Sequence, residues 1–312
     1  MRLVVLCGGI GGARFLLGVR AFAKATGAEA TAIVNVGDDV TLHGLRICPD
    51  LDSVMYALGG GADPERGWGR ADERWTVKEE LAAYGAEPTW FGLGDRDVAT
   101  HLVRTTMLNA GYPLSAVTEA LCDRWQPGLP LLPATDDRLE THVVVDGPTA
   151  LHFQEWWIRH RAALPAQRFS FVGAESAKPA AGVLDALAGA DVVLVAPSNP
   201  VVSIAPILAV PGLREAMLAN PASVIGVSPI IGTAPVRGMA DKCLAAVGVA
   251  CTAAGVGGLY GARSAEGILD GWLVDTTDAA TTVDGVRVAA APLWMTDEAA
   301  TEAMVRAALE LA

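Results

Sequence analysis

The sequence is poor in cysteine and has no membrane-length apolar run, and both shortages narrow the class of protein. Five cysteines are scattered among 312 residues, and no two of them have C-x-x-C spacing. This pattern excludes a disulfide framework and a structural zinc site, and it predicts buried thiols. Gly, Pro or a charged residue interrupts every apolar run before it reaches the length of a transmembrane helix. We therefore expect a cytoplasmic protein that makes no membrane contact.

Positive charge is also scarce. The chain has 23 Lys and Arg against 35 Asp and Glu, a formal net charge of −12. Such a chain is a poor candidate for sequence-independent nucleic-acid binding, and an anionic ligand would need a local arginine or a metal ion. Hydrophobic residues make up 52% of the chain, which argues against disorder. No linker, repeat or low-complexity tract divides it, so we expect one integrated domain over residues 1–312.

A glycine-rich turn follows the first apolar run. Residues 3–7 read as a buried strand, the glycines lie within 8–12, and helical spacing follows. A strand, a glycine turn and a helix together present backbone N–H groups to a phosphate. The spacing is neither G-x-G-x-x-G nor a P-loop, because no Lys-Ser/Thr follows Gly12. Tight packing between strand and helix would explain the same glycines.

The rest of the chain alternates strand-like and helical segments. Apolar runs at 31–36, 191–197 and 223–229 read as further strands, and residues 50–62 read as a helix. Residues 63–135 are mostly helical and predict a helical insertion against the sheet. An Asp-Gly turn within 141–153 predicts a short antiparallel hairpin. The expected fold is α/β, with a Rossmann-like, mostly parallel sheet.

Acidic residues cluster after the second predicted strand. Asn35, Asp38 and Asp39 follow it directly, and Asp50 and Asp52 come soon after. Ligands of open α/β sheets bind beyond the carboxyl ends of the strands. Four carboxylates there suit Mg²⁺, which takes oxygen ligands and shares them with substrate phosphates. Helix capping by Asp50 and turn formation by Asp38 are the structural alternatives.

Two further polar clusters are candidates for substrate binding. Arg96 lies in the segment 94–97 and could hold a phosphate bidentately, with Thr100 one turn further on. A capped helix with surface ion pairs would give the same pattern. Ser198 and Asn199 follow the strand at 191–197 and offer neutral hydrogen-bonding groups to a base, a ribose or a phosphate. A plain turn remains the alternative.

Histidine and tryptophan offer weaker signals. His101, His142 and His152 are candidate general bases, although a histidine beside a hairpin, such as His152, is more often structural. The absence of G-x-S-x-G gives no support to an esterase nucleophile. Tryptophans could form a flat wall for a heterocycle, with core packing as the default. The tryptophans considered are Trp68, Trp75, Trp90, Trp156 and Trp157.

Taken together, the clusters resemble the 2-phospho-L-lactate transferases of coenzyme F420 biosynthesis over nearly the whole chain. Residues 11–19 and 123–128 are most similar to the actinobacterial branch of that family. Several long motifs occur in the same order, which makes the resemblance specific. The segments that carry it are 8–14, 34–39, 48–52, 93–101, 152–157, 196–200 and 228–232.

The resemblance implies a reaction. The terminal hydroxyl of FO, the deazaflavin alcohol 7,8-didemethyl-8-hydroxy-5-deazariboflavin, attacks the phosphorus that bears a three-carbon acid in a guanosine diphosphate ester, and GMP leaves. In the actinobacterial branch the acid is enolpyruvate and the product dehydro-F420-0. A lactyl donor giving F420-0 is one alternative. A regulatory protein that binds a nucleotide-sugar or dinucleotide is the alternative from another class.

The resemblance also implies roles for individual residues. It assigns Mg²⁺ to Asp39 and Asp50, and it expects Asp50 and Arg96 to contact FO; these three are the expected catalytic residues. The glycines would approach the donor diphosphate, and a homodimer is expected. The residues expected to contact substrates are Gly9, Gly11, Gly12, Asn35, Asp38, Asp50, Asp52, Arg96, Thr100, Ser198 and Asn199.

Overall fold

A computed structural model describes residues 1–312 and has an α/β fold with a parallel central sheet. Its first unit is the predicted strand, glycine turn and helix. The apolar residues of the first strand are buried, and the helix begins at Gly9, directly after the extended residue Gly8. The next strand runs parallel to the first from residue 29 to residue 34, two residues earlier than the apolar run suggested.

Fourteen strands are present. They are β1 (Arg2–Cys7), β2 (Glu29–Val34), β3 (Val40–Leu42), β4 (Leu45–Ile47), β5 (Leu131–Pro133), β6 (Glu140–Asp146), β7 (Thr149–His152), β8 (Arg168–Val172), β9 (Val192–Val195), β10 (Ser223–Val227), β11 (Ile230–Ile231), β12 (Ala234–Pro235), β13 (Gly271–Val274) and β14 (Arg287–Ala290).

Eleven α-helices connect and flank the strands. They are α1 (Gly9–Thr26), α2 (Pro49–Leu58), α3 (Thr76–Ala83), α4 (Asp95–Asn109), α5 (Leu114–Trp125), α6 (Val183–Gly189), α7 (Ala205–Leu208), α8 (Leu213–Ala219), α9 (Ala240–Ala246), α10 (Ala253–Tyr260) and α11 (Glu298–Leu309).

The central sheet has seven parallel strands in the order β14-β13-β10-β9-β1-β2-β5. β2 and β9 flank β1 on opposite sides, so the strand order reverses between β1 and β9. In open α/β sheets the crevice at such a reversal is where ligands bind. The loops that follow β1 and β9 are therefore expected to border the site.

The segment 63–135 contains α3, α4 and α5, and it ends in β5, which pairs with β2 at the edge of the central sheet. The predicted hairpin is present as β6 and β7, with the turn at Gly147. β8 adds a third antiparallel strand to it, which the sequence did not indicate. β3 and β4 form a second short hairpin, which leads into α2, and α2 packs against α1.

Taken one at a time, the helices lack the length and apolar character that a membrane span requires. One pair of short helices, Pro200–Leu208 and Leu213–Ala219, reaches the required length and composition only when taken together, and the two are bent by 79°.

Gly18 lies where α1 packs against α11, and it allows the two backbones to approach closely. A Cβ atom at this position would lie 2.5 Å from the carbonyl carbon of Thr301. We expect Gly18→Ala to lower the free energy of unfolding by about 1–3 kcal/mol, because the overlap is with backbone that cannot move aside. Urea denaturation measures the change.

Gly258 provides the matched control, because it is also helical but has nothing within 4 Å of its ideal Cβ position. Gly258→Ala is expected to stabilise the protein, by up to about 1 kcal/mol, through its helix propensity. Equal effects of the two substitutions would contradict the close approach of α1 and α11.

Candidate active site

A cavity of about 820 Å³ opens at the carboxyl ends of the central strands. The loops after β1, β2 and β9 contribute to its wall, as expected for the place where the strand order reverses. Seven of the residues predicted to bind substrates line it, namely Gly9, Gly11, Asp38, Asp50, Asp52, Ser198 and Asn199. The fold therefore brings together side chains from distant parts of the sequence.

The glycine turn is closely packed against neighbouring segments, and it also forms part of the cavity wall. A Cβ on Gly8 would lie 2.4 Å from Asp50 Oδ2, and one on Gly11 would lie 2.6 Å from the Pro197 carbonyl oxygen. Gly12 faces Cys7 and Ser198 and does not line the cavity. The packing interpretation of the glycines is therefore confirmed. The turn also presents the N-terminus of α1 to the cavity, so phosphate binding stays a prediction.

Asn35 lies between two buried carboxylates. Its Nδ2 donates to Asp50 Oδ2 at 2.8 Å and to Asp38 Oδ1 at 3.2 Å, and Gln154 Nε2 donates to the other oxygen of Asp38 at 3.0 Å. Burial raises the pKa of Asp50 to about 7. Burial and the charge of Asp50 together raise the pKa of Asp38 well above its ordinary value. No arginine or lysine neutralises either carboxylate.

Asp39 points away from the cavity and has partners of its own. Arg46 Nη2 and Cys48 Sγ each lie 3.0 Å from its Oδ2. Burial raises the pKa of Asp39 to about 6, although the charge of Arg46 opposes that shift. Its Oδ1 is buried without a hydrogen-bond partner. His152 Nε2 lies 3.1 Å from the Asp39 carbonyl oxygen, a backbone contact that fits the structural interpretation of this histidine.

Asp52 belongs to a second buried network, centred on Arg104 of α4. The Arg104 guanidinium binds both Asp52 oxygens. Burial opposes the charge of Arg104, but Asp52 holds its pKa above the ordinary value. The pair neutralises the carboxylate within the protein, so Asp52 differs from Asp38 and Asp50 although all three line the cavity.

His101 is held in one tautomer by the same arginine. Arg104 Nη1 lies 3.1 Å from His101 Nδ1 and can only donate, so Nδ1 accepts and the ring proton is on Nε2. That nitrogen lies 3.5 Å from Asp97 Oδ2. Tyr56 donates its hydroxyl proton to Asp97 at 2.5 Å. Burial acts against the charge of Asp97, but hydrogen bonds from His101 and Tyr56 lower its pKa below the ordinary value.

Asp52, Asp97 and His101 bring one potential metal-ligand atom each within 4.8 Å of one another. Their surroundings suit a metal less well than those of Asp38 and Asp50. Arg104 already supplies a positive charge here, and the ring proton of His101 occupies the nitrogen that faces Asp97.

Arg96 and Thr100 lie outside the cavity wall. The Arg96 side chain is 53% exposed, and its Nη1 lies 3.7 Å from Asp72 Oδ2. The next residue, Asp97, lines the cavity instead. Thr100 is buried on α4.

Ser198 and Asn199 both shape the loop that follows β9. Ser198 Oγ accepts from the Gly8 N–H at 3.1 Å and donates to the Gly8 carbonyl at 2.8 Å, which ties this loop to the glycine turn. Asn199 Oδ1 accepts from the backbone N–H of Val201 at 3.0 Å and caps a π-helical turn over Pro200–Ile204. Both residues line the cavity, so these structural contacts do not remove them from it.

Several lining residues had no signal of their own in the sequence. Of the tryptophans considered, Trp68 and Trp157 line the cavity, whereas Trp156 is a core residue. Trp294 belongs to the loop between β14 and α11, which only the folded sheet brings to the site. No role was predicted from the sequence for Arg14, Tyr56, Phe91, Asp97, Gln154, Arg237 and Trp294. Of these, Arg14, Asp97 and Gln154 lie in segments that carry the family resemblance.

Arg104→Met is expected to lower the free energy of unfolding by about 3–5 kcal/mol, because it leaves the Asp52 carboxylate buried without a cation. Changing Asp52 to Asn in the same protein should recover much of the loss, since the stranded charge is removed. Urea denaturation at pH 7 measures both.

Arg159→Met is the control for Arg104→Met, since Arg159 pairs with Glu155 at the surface. Its expected cost is less than about 1 kcal/mol. A similar cost for Arg104→Met would contradict the buried pair.

The family model described as "2-phospho-L-lactate transferase CofD" matches residues 3–310. Among curated relatives, a protein of Nocardia farcinica is 64% identical over the whole chain and 95% of its own length. One from Mycolicibacterium smegmatis is 60% identical over the whole chain and 99% of its own length. Both are named phosphoenolpyruvate transferase.

Solved structures support the fold. Two crystal structures of a Bacillus halodurans protein, described as a member of the UPF0052 family, are 20% identical to the chain. One matches with a TM-score of 0.64 over 99% of both chains, and the other with 0.60 over 93% of this chain and 92% of that one. At this identity the likeness concerns the fold alone. The family match and the close relatives cover the full chain, which therefore belongs to the 2-phospho-L-lactate transferase CofD family.

Proposed function

We propose that the protein transfers a phosphoenolpyruvyl group from enolpyruvyl-diphospho-5'-guanosine to FO, releasing GMP and giving dehydro-F420-0. One observation carries the proposal. Asp38 and Asp50 are buried in the cavity wall beside the N-terminus of α1, and no cation neutralises them. Family membership supports the reaction class, and the names of the actinobacterial relatives support the enolpyruvyl donor.

The residues present fit a divalent cation. Two adjacent buried carboxylates without a counter-ion are costly, and the unpartnered Oδ1 of Asp39 is a further oxygen that lacks a ligand. We propose that Asp50 and Asp38 hold Mg²⁺ from the cavity wall. Asp39, which the resemblance implies as the second ligand, is paired with Arg46 and does not line the cavity, so it would reach the ion only through its unpartnered Oδ1. When bound, the ion would neutralise charge on the phosphate oxygens of the donor.

The chain itself would position the donor. The Gly9 N–H at the N-terminus of α1 donates to Asp50, and the helix has no acidic residue of its own in its first turn. The N–H groups of Ile10 and Gly11 would then remain for the diphosphate. Gly9 and Gly11 leave room for that approach. A phosphoryl transfer of this kind depends on in-line positioning and charge stabilisation and needs no protein nucleophile.

The acceptor would occupy the more aromatic part of the cavity. Phe91, Trp157 and Trp294 are the side chains suited to the flat ring of FO. Trp157 and Trp294 are 38% and 56% exposed, so they can cover a bound ring without first leaving the core. Arg96 would have to leave Asp72 to reach FO from its position outside the cavity wall.

The alternatives receive less support. A regulatory protein that only binds a nucleotide has no need for buried, uncompensated carboxylates beside the phosphate position. A lactyl donor differs from the enolpyruvyl donor by two hydrogens, and the names of the close relatives favour the latter. The expectations of a homodimer and a cytoplasmic location accompany the proposal, and sedimentation and cell fractionation test them.

Removal of divalent metal with EDTA should abolish transfer, and Mg²⁺ should restore it. Asp50→Asn is expected to lower kcat by at least about 100-fold, because the loss is in transition-state charge stabilisation. Product formation is followed by mass spectrometry. Asp146→Asn, an exposed residue of β6, is the matched control and should retain full activity. Full turnover in EDTA would contradict the metal proposal.

Stability separates this role from a helix-capping role of Asp50. A buried aspartate with a pKa of about 7 binds more protons when folded, so its charge destabilises the protein progressively as the pH rises from about 4 to about 7. In EDTA at pH 8, Asp50→Asn should therefore melt at a higher temperature than the wild type. The difference should vanish towards pH 4. A capping role predicts a lower melting temperature at pH 8.

A competition between the enolpyruvyl and lactyl guanosine donors, at equal concentrations with FO, tests donor choice. We expect dehydro-F420-0 to dominate by roughly 10-fold or more, the discrimination that close shape complementarity gives for small differences. Product masses differ by two hydrogens and are read directly. Dominance of the lactyl product would contradict the donor assignment while leaving the transferase assignment in place.

A further inference from the structure

The cavity wall carries two arginines that no carboxylate neutralises. Arg14 extends from α1, and Arg237 lies in the loop between β12 and α9. Elsewhere near the cavity, arginines are paired with aspartates, as Arg46 is with Asp39 and Arg104 with Asp52. In a chain of net charge −12, two unpaired guanidinium groups on one cavity wall require an explanation.

Arg14 is half-buried and forms no ion pair or hydrogen bond within the protein. Arg14 and Arg237 line the same cavity. Burial lowers the pKa of Arg14, and the positive charge of Arg237 lowers it further. Arg237 is exposed and Arg14 is half-buried, so solvent screens part of the repulsion between their charges. An anion bound between them would remove the rest of that repulsion.

Arg237 is held in place from the far side of the cavity. It donates to the Arg66 carbonyl oxygen at 3.2 Å and packs on Gly67, where an ideal Cβ would lie 2.0 Å from Arg237 Nη2. Arg66 is itself fixed by Asp63 at 2.9 Å, and it lies over the Trp68 ring at 5.4 Å from the ring centroid. The helical insertion thus supports the Arg237 guanidinium.

We propose that Arg14 and Arg237 together bind one oxyanion of the guanosine diphosphate ester, an inference that rests on the proposed function. Each guanidinium is a planar fork suited to a carboxylate or a phosphate. The donor offers both, as the carboxylate of its three-carbon acid and as its diphosphate. An anion held by both arginines would link α1 to the β12–α9 loop.

The test uses Arg14→Gln, Arg237→Gln and the double variant, with Arg168→Gln as the control. Arg168 is exposed on β8 and does not line the cavity. Each cavity variant should raise the KM of the donor roughly 10- to 100-fold, the loss of a charged hydrogen bond, and leave the KM of FO unchanged. The double variant should raise the donor KM by less than the product of the two single-variant increases, because both arginines hold one anion.

Binding of GDP and of inorganic pyrophosphate distinguishes the two oxyanions. Both contain a diphosphate and lack the carboxylate of the donor. If the variants bind both probes more weakly, by about the factor by which the donor KM rises, the arginines hold the diphosphate. If the affinity for neither probe changes while the donor KM rises, they hold the carboxylate. Unchanged donor KM and unchanged probe binding, within about twofold in both single variants, would overturn the proposal.

The binding measurements distinguish a failure of the arginine site from a failure of the proposed function. A wild-type protein without turnover would defeat the proposed function, and weaker GDP and pyrophosphate binding by the variants would still support the arginine site. In that case, unchanged binding would overturn the site as well. Folding is checked by the melting temperature of the ligand-free variants. It should not fall, because Arg14 has no partner to lose and Arg237 is exposed and makes one hydrogen bond.

Discussion

The burial of carboxylates at the carboxyl end of β2 is the constraint on which the site depends. Asp38, Asp39, Asp50 and Asp52 are all removed from water, where each charge would otherwise be stabilised. The four carboxylates differ in the partners that neutralise them. Asp39 and Asp52 receive arginines, whereas Asp38 and Asp50 receive only the amide hydrogens of Asn35 and Gln154 and a backbone N–H. The uncompensated pair lines the cavity. Of the compensated carboxylates, Asp52 lines it too, whereas Asp39 lies behind the wall.

The buried Asp50 carboxylate also constrains the loops that pack around it. Only glycine fits at Gly8, because a Cβ there would overlap Asp50. Ser198, in the neighbouring loop, forms hydrogen bonds with both the N–H and the carbonyl of Gly8. The glycine turn, the acidic cluster and the loop after β9 are thus one packed unit. A change in any of them would move the others, because the atoms are already at contact distance.

Local patterns were sufficient to predict much of this architecture. The strand, glycine turn and helix at residues 2–26 depend on neighbours in sequence, as does the hairpin turn at Gly147, so periodicity and turn chemistry identify them. The acidic cluster was visible because its members follow one strand and begin one helix. Asp50 and Asp52 were identified without any knowledge of their partners.

What local patterns could not predict are contacts between distant segments. The pairing of β5 with β2, and the third strand β8, depend on long-range register. His101 and Arg104 are three residues apart on α4, but only the position of α2 reveals that both face Asp52. Arg237 and Trp294 reach the cavity from loops whose sequences contain no motif. Arg96, which belongs to a motif, lies outside the cavity because the start of α4 directs Asp97 inward.

The position of β1 in the sheet also affects how the chain is synthesised. β1 is made first and pairs early with β2, but its other edge is covered only by β9, at residues 192–195. Until those residues leave the ribosome, an apolar strand has an open edge that another chain could pair with. Nascent chains are therefore most vulnerable to aggregation while the long middle of the sequence is being translated, and a chaperone that covers this edge would protect them during that interval.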